Sequence, residues 1–247
     1  MVAIINSFTV VAFSAGSGKR LWPKTCSKPK IFVKVGRKRI FDYTLRFFIQ
    51  SYLCRKTFVI FLRARKNYLK DLKSFGNLEL VKNNFPPDSH CASSLYSVYK
   101  KLEGGVLFFN SDLILNNPNL KYILKEVSKS NHSIVFGISR KFSTYNCDLQ
   151  RVKSDRYGRI IDWSLDTNDF DSYVTGPIYL CGKDVKKMKN ILDSAETKSI
   201  VKLPCFTFFS KLINEVEFKF RKLNSYGFAE IDTLRDLKAA KYKNWID

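Results

Sequence analysis

Short apolar runs alternate with amphipathic stretches along this chain, and that alternation predicts its architecture. Residues 8–13 are a continuous run of Phe, Thr, Val and Ala, too short to cross a membrane and suited to a strand buried on both faces. Residues 58–62, 78–81, 106–110 and 133–138 repeat the pattern and read as further strands. Between them, residues 41–53, 65–75, 92–102 and 119–129 space their apolar positions as helices do. Strands taking turns with helices predict an α/β fold, a mostly parallel sheet covered by helices on both faces.

Past residue 150 the order changes. Residues 151–163, with Gly158 in a hairpin turn, and residues 173–181 read as strands of a mixed extension to the sheet. Residues 184–195 and 206–215 read as helices, and 217–223 alternates like an edge strand. A last helix is expected over 233–245, with Thr233 as its N-cap and Asp236 closing a capping box. No repeat, low-complexity tract or linker interrupts the 247 residues, so one domain is expected. Within it the change of pattern divides the chain at about residue 130, into residues 1–130 and 131–247.

Composition narrows the setting. Six cysteines form no C-x-x-C pair, and with only two histidines, His90 and His132, a zinc site of Cys and His is not expected. A reducing, cytoplasmic location fits those thiols, and no stretch is long enough for a membrane helix. The 43 Lys and Arg against 22 Asp and Glu leave a net charge of +21, which raises nucleic-acid binding without catalysis as a rival class. Against it, the cations are dispersed, with no block longer than Arg37-Lys38-Arg39, and no aromatic RNA-binding signature occurs.

The chemistry concentrates after the first strand, in Gly16-Ser17-Gly18-Lys19-Arg20-Leu21-Trp22-Pro23-Lys24-Thr25 followed by Pro29-Lys30. Glycines let backbone N–H groups approach phosphate oxygens, and Arg20 and Lys30 add charge. Walker A is excluded, because Arg20 stands where that motif needs Ser or Thr. A dinucleotide fingerprint is excluded too, because Leu21 occupies its third glycine position. Asp112 ends the apolar run 106–110 at a sheet edge, where α/β proteins bind ligands. Glu230 and Asp232, two apart on an extended segment, face the same side and can complete an oxygen-ligand site.

Residues 16–30 match throughout the signature G-x-G-x-R-L-x-P-x-T followed by P-K. The chain therefore resembles the nucleotidyltransferases, the family of sugar-phosphate pyrophosphorylases and small-molecule cytidylyltransferases. Val106 to Asp112 resembles the family's central strand and metal-binding Asp, and Glu230-Ile231-Asp232-Thr233 with Asp236-Leu237 resembles the close of its cytidylyltransferase members. The resemblance implies a Rossmann-like nucleotidyltransferase fold in which Ser14, Ala15, Gly16, Ser17, Gly18, Lys19 and Arg20 wrap a nucleoside triphosphate, with Ser93 and Ser94 near the base. Arg20 would hold the β- and γ-phosphates and Lys30 the α-phosphate, both as catalytic cations. Asp112, Glu230 and Asp232 would hold Mg²⁺.

The same resemblance implies a nucleotide-binding half to about residue 130 and an acceptor-binding half from 131 to 247. Ser93-Ser94-Leu95 resembles the S-L element of cytidylyltransferases, which favours CTP, whereas Leu21-Trp22-Pro23 is similar to hexose-1-phosphate guanylyltransferases. Tyr145, Trp163, Tyr173 and Tyr179 lie where the family binds its acceptor, and aromatic faces would suit phosphocholine. A sugar 1-phosphate, paired with UTP, dTTP or GTP, is the alternative. Oligomeric state is not legible in the sequence.

Overall fold

Seven consecutive residues of the first strand, Phe8–Ser14, are all buried, so this element lies at the centre of the molecule rather than at an edge. The computed structural model describes residues 6–16, 18–62, 70, 72–86, 92–140, 149–166, 168–200 and 202–246. Its strands are β1 (Phe8–Ser14), β2 (Lys34–Val35), β3 (Lys38–Arg39), β4 (Cys54–Phe61), β5 (Leu78–Lys82), β6 (Gly105–Asn110) and β7 (Leu113–Leu115). They continue with β8 (Ser133–Ser139), β9 (Arg151–Ser154), β10 (Ile160–Ser164), β11 (Ser172–Leu180), β12 (Phe218–Lys222) and β13 (Phe228–Glu230).

Nine of these form one sheet in the order β10-β9-β11-β6-β1-β4-β5, with β8 beside β11 and β12 beside β8. The run β6-β1-β4-β5 is parallel, as expected, and β12 pairs parallel with β8. β11 is antiparallel to β6, β8 and β9, and so joins the parallel centre to the mixed extension.

Period-two alternation sorts the core onto the two faces. Val11 and Phe13 of β1, Phe58 and Ile60 of β4, and Val106 and Phe108 of β6 point to one face, under Leu95, Met188, Leu192 and Phe209. Val10, Ala12, Val59, Leu107 and Phe109 point to the other, under Phe41, Phe48, Leu120, Ile123 and Val127. Each Val, Leu, Ile, Met and Phe among them contributes about 1.5–3 kcal/mol on burial, which is why the strand register is firmly set.

Several helices are shorter than their apolar spacing predicts. Residues 41–53 form two short helices, Ile40–Tyr43 and Leu45–Ile49, broken at Thr44 with φ −122°. The Thr44 hydroxyl is engaged in tertiary structure, accepting the buried Leu115 N–H at 3.1 Å. Residues 92–102 become the helix Ala92–Tyr96 and a 3₁₀ turn Tyr99–Lys101, and 206–215 become Cys205–Lys211 and a 3₁₀ turn Leu212–Asn214. The last helix stops at Ala240, and its capping box of Thr233 and Asp236 forms as expected. The helix expected over 65–75 lies largely outside the described residues. Gly158, at φ +76°, turns the β9–β10 hairpin, and β12 takes the edge position foreseen for 217–223.

Two short ladders have no counterpart in the sequence pattern, the hairpin of β2 with β3 and a second one beside the site. β7 and β13 form a separate two-stranded antiparallel ladder, pairing Leu113 with Glu230 and Leu115 with Phe228. The short helix Ile40–Tyr43 and the last helix pack on it around Ile114, Ala229, Ile231 and Leu237. Among the described residues, no helix is long and apolar enough to cross a membrane.

Candidate active site

β1 lies between β6 and β4, both parallel to it, so the strand order reverses direction at β1. In open α/β sheets ligands bind beyond the carboxyl ends of strands at such a point. A cavity of about 250 Å³ opens there, beyond Ser14 of β1 and Asn110 of β6, lined by Phe13, Ser14, Gly16, Gly18, Lys19, Arg20, Lys30, Ser111, Asp112 and Asp232.

The loop after β1 owes its shape to two residues. Gly18 has φ +64°, and a Cβ there would lie 3.1 Å from Thr25 Cγ2. Thr25 Oγ1 in turn donates to the Gly18 carbonyl at 2.7 Å, fastening the glycine turn to the far end of the motif. Gly16 would meet nothing within 4 Å, so its missing side chain leaves room for whatever enters.

Two further acids, Glu230 and Asp232, arrive from the far end of the chain to meet Asp112. The β7–β13 ladder sets Asp112, just ahead of β7, beside the segment from Glu230, and the Ile231 N–H donates to the Asp112 carbonyl at 3.1 Å. Carboxylate oxygens of Asp112, Glu230 and Asp232 consequently lie within 4.8 Å of one another. Asp236 steadies this arrangement, because its Oδ2 accepts from the Asp232 N–H at 3.1 Å as well as from Thr233. The N-cap of the last helix therefore also orients a site residue.

Lys30 sits among these acids with its side chain 13% exposed. Its Nζ donates to Asp112 Oδ2 at 2.8 Å and to Asp232 Oδ1 at 2.5 Å. Burial alone would pull the ammonium down, but the carboxylates of Asp112 and Asp232 outweigh it and hold Lys30 above the ordinary lysine value. Arg20 reaches the other oxygen of Asp232 at 3.1 Å, although its side chain is 68% exposed. Glu230 meets less compensation. Burial first, then the charges of Asp112 and Asp232, push its carboxyl up to about 8, with Lys30 only partly opposing them.

The structure brings together Ser14, Gly16, Gly18, Lys19, Arg20, Lys30, Asp112 and Asp232 around the cavity, with Glu230 against the other two acids. Ser14 Oγ is buried and has no hydrogen-bond partner among the described residues. Ala15 packs half-buried against the core, and Ser17 lies outside the described residues. Ser93 and Ser94 are buried and do not line the cavity; both hydroxyls are bound by Asn83 Nδ2, at 2.9 and 3.3 Å.

Three of the aromatic candidates are core residues and do not converge. Trp163, 4% exposed, packs edge-on against Phe218 on one face of the sheet and donates to Gln150 Oε1. Tyr173 and Tyr179 belong to the other face, Tyr173 against Phe170. Tyr145 lies outside the described residues.

Sequence reasoning assigned no part to Thr25 or Asn83, and saw in Asp236 only the helix cap. Thr25 belongs to the matched motif and could have been read as the partner of Gly18. Asn83 stands alone after β5 and carries no such signal.

A nucleotidyl transferase family profile matches residues 9–145. No curated protein sequence matches the chain. Among solved structures, CTP:phosphocholine cytidylyltransferase from Streptococcus pneumoniae is similar at 20% identity, with TM-score 0.78 over 96% of this chain and 98% of that one. The inositol-1-phosphate CTP transferase from T. maritima is 17% identical, with TM-score 0.75 over 98% and 96% of the two chains. A putative glucose-1-phosphate thymidylyltransferase from Bacillus anthracis is 13% identical, with TM-score 0.75 over 95% and 94%.

Proposed function

The chain belongs to the nucleotidyl transferase family, and from that premise we propose that it is a cytidylyltransferase, joining CTP to a small phosphorylated acceptor of the phosphocholine type. The family reaction is itself secure: a nucleoside triphosphate and a phosphorylated acceptor give a nucleoside diphosphate derivative and pyrophosphate. One observation carries the assignment to this cavity. A half-buried, charged Lys30 is held between two acids at the mouth of a glycine-turned loop, on the carboxyl edge of a parallel sheet.

An acceptor phosphate oxygen attacks the α-phosphorus of CTP, forming the new P–O bond as the bond to the β-phosphate oxygen breaks and pyrophosphate leaves. Charge builds on the α-phosphate oxygens during this step, and the protein's task is to neutralise it and hold the reactants in line. Lys30 is oriented by Asp112 and Asp232 before any substrate arrives, so little reorganisation is needed to bring its ammonium to the α-phosphate. Arg20, exposed on the loop, is placed for the β- and γ-phosphates, and the turn at Gly16 and Gly18 lets backbone N–H groups approach them.

The acids fit a hard divalent ion. Their donors are oxygens, they converge, and Asp112 Oδ1 is buried with no hydrogen-bond partner among the described residues. Asp112, Glu230 and Asp232 would hold Mg²⁺, and a divalent ion held there would supply positive charge against the phosphates of the nucleotide.

CTP is supported by the names of two structural neighbours; the unpartnered Ser14 hydroxyl in the cavity wall can bond a base edge but does not choose among bases. Phosphocholine is supported by the pneumococcal neighbour. Pyrophosphate release, measured with CTP, UTP, GTP and dTTP against phosphocholine and glucose 1-phosphate, tests both assignments. Fastest release from CTP with phosphocholine is expected. Preference for UTP or dTTP with glucose 1-phosphate would replace the proposal by a sugar-nucleotide synthesis.

A further inference from the structure

A second cavity, of about 490 Å³, opens at the other edge of the sheet, around the amino ends of β4 and β6 and the carboxyl end of β11. Its lining includes Arg55, Gly104, Gly105, Tyr179, Gly182 and Lys183, and no Asp or Glu among the described residues. From these residues we infer an anion site, remote from the first cavity, for a phosphate group that is either free or carried by a small molecule.

The donors converge from three elements. Gly182 and Lys183 open the helix Gly182–Ser194, whose thirteen residues direct their dipole at the cavity, and the N-cap, Cys181, makes no side-chain capping bond. Arg55, at the start of β4, spends one N–H on the Glu103 carbonyl at 2.7 Å, a bond that fixes the guanidinium beside Gly104. Tyr179 is the independent observation. The residue is 2% exposed, yet its hydroxyl reaches the cavity wall at Gly105 and has no hydrogen-bond partner among the described residues. The phenol oxygen opens on the cavity and spends no bond on a described residue, so it is a donor free for what the cavity receives. Burial and the neighbouring Cys181 push the phenol up to about 12, with Arg55 opposing, so it keeps its proton at neutral pH and can donate.

Glycine is what makes the arrangement possible. A Cβ at Gly104, where φ is +61°, would lie 2.3 Å from Arg55 Nη2, and one at Gly105 would lie 2.4 Å from the Tyr179 oxygen. The acid in the first turn of the helix does not oppose an anion, because Asp184 is turned inward, accepting from Ser133 Oγ at 2.7 Å and Cys181 Sγ at 3.0 Å. The exposed Lys187 also pairs with it, at 3.8 Å.

Equilibrium dialysis with radiolabelled orthophosphate, on the wild type and on Arg55→Gln, Tyr179→Phe and Arg20→Gln, tests the site. We expect one class of bound phosphate to weaken about tenfold or more in Arg55→Gln and in Tyr179→Phe, as loss of a donor to a charged group requires, and to persist in Arg20→Gln. Arg55 is exposed, so its variant tests the site even if Tyr179→Phe disturbs the core. Competition with AMP then separates the two sources: displacement tighter than by phosphate itself assigns an ester, and equal displacement assigns the free ion. Phosphate binding unaltered by both Arg55→Gln and Tyr179→Phe would overturn the inference, as would loss of all binding in Arg20→Gln.

Discussion

Replacing Glu230 by glutamine should flatten the dependence of stability on pH. In the folded protein, burial and then the charges of Asp112 and Asp232 move this carboxyl from 4.5 to about 8. A carboxyl raised on folding holds its proton longer in the folded chain than in the unfolded one. Its contribution is therefore fully present below the unfolded value near 4.5, is lost as pH rises toward 8, and levels off above that. At roughly 1.4 kcal/mol per unit of pKa, the wild type should lose up to about 3 kcal/mol between pH 5 and pH 8 from this group alone.

Glutamine keeps the shape of glutamate and does not ionise, so the variant should escape most of that loss. Urea denaturation in EDTA, which removes divalent ions that would mask the effect, measures both proteins at the two pH values. The variant should lose about 1–3 kcal/mol less than the wild type between them. Identical pH dependence in the two proteins would show that Glu230 is already ionised in the folded state, and the account of a crowded, under-compensated acid cluster would fail.

Asp112→Asn and Asp232→Asn should each lower turnover at saturating Mg²⁺ by ~100-fold or more with the circular dichroism unchanged, because amides bind a hard cation poorly. Unimpaired rates in both would remove the metal assignment. Lys30→Ala should act mainly on kcat, since its contact strengthens as charge builds, whereas Arg20→Ala should also raise KM for the triphosphate, already charged in the ground state; initial-rate kinetics showing the reverse would exchange their roles. Trp163→Phe, which breaks the bond to Gln150, should destabilise the fold by about 1–3 kcal/mol in thermal denaturation while KM for the acceptor stays unchanged. A shift in that KM would return Trp163 to the acceptor site.

The local pattern of the chain was enough for much of this. Apolar runs such as 8–13 and 106–110 could satisfy their side chains only between two layers of helix, so the central parallel strands were legible from period and length. The glycine loop was legible as well, because φ +64° at Gly18 is a property of a few adjacent residues. Thr233 and Asp236 formed the expected cap for the same reason, each partner lying within one helical turn. What nothing local specified was which distant segments meet. Asp112 and Glu230 come together through a three-residue ladder, β7 with β13, too short to leave a periodic signal. Thr44 broke its helix because a backbone donor from β7 needed an acceptor, and Ser93 and Ser94 were bound by Asn83. Trp163, Tyr173 and Tyr179 show the same limit from the other side. A ring suited to a ligand is equally suited to a core, and burial against Phe218, Phe170 or Gly105 is decided only when the strands take their places. Residue chemistry and short-range geometry belong to the sequence. The pairing of remote segments, and the competition for buried hydrogen-bond partners that follows from it, belong to the tertiary structure.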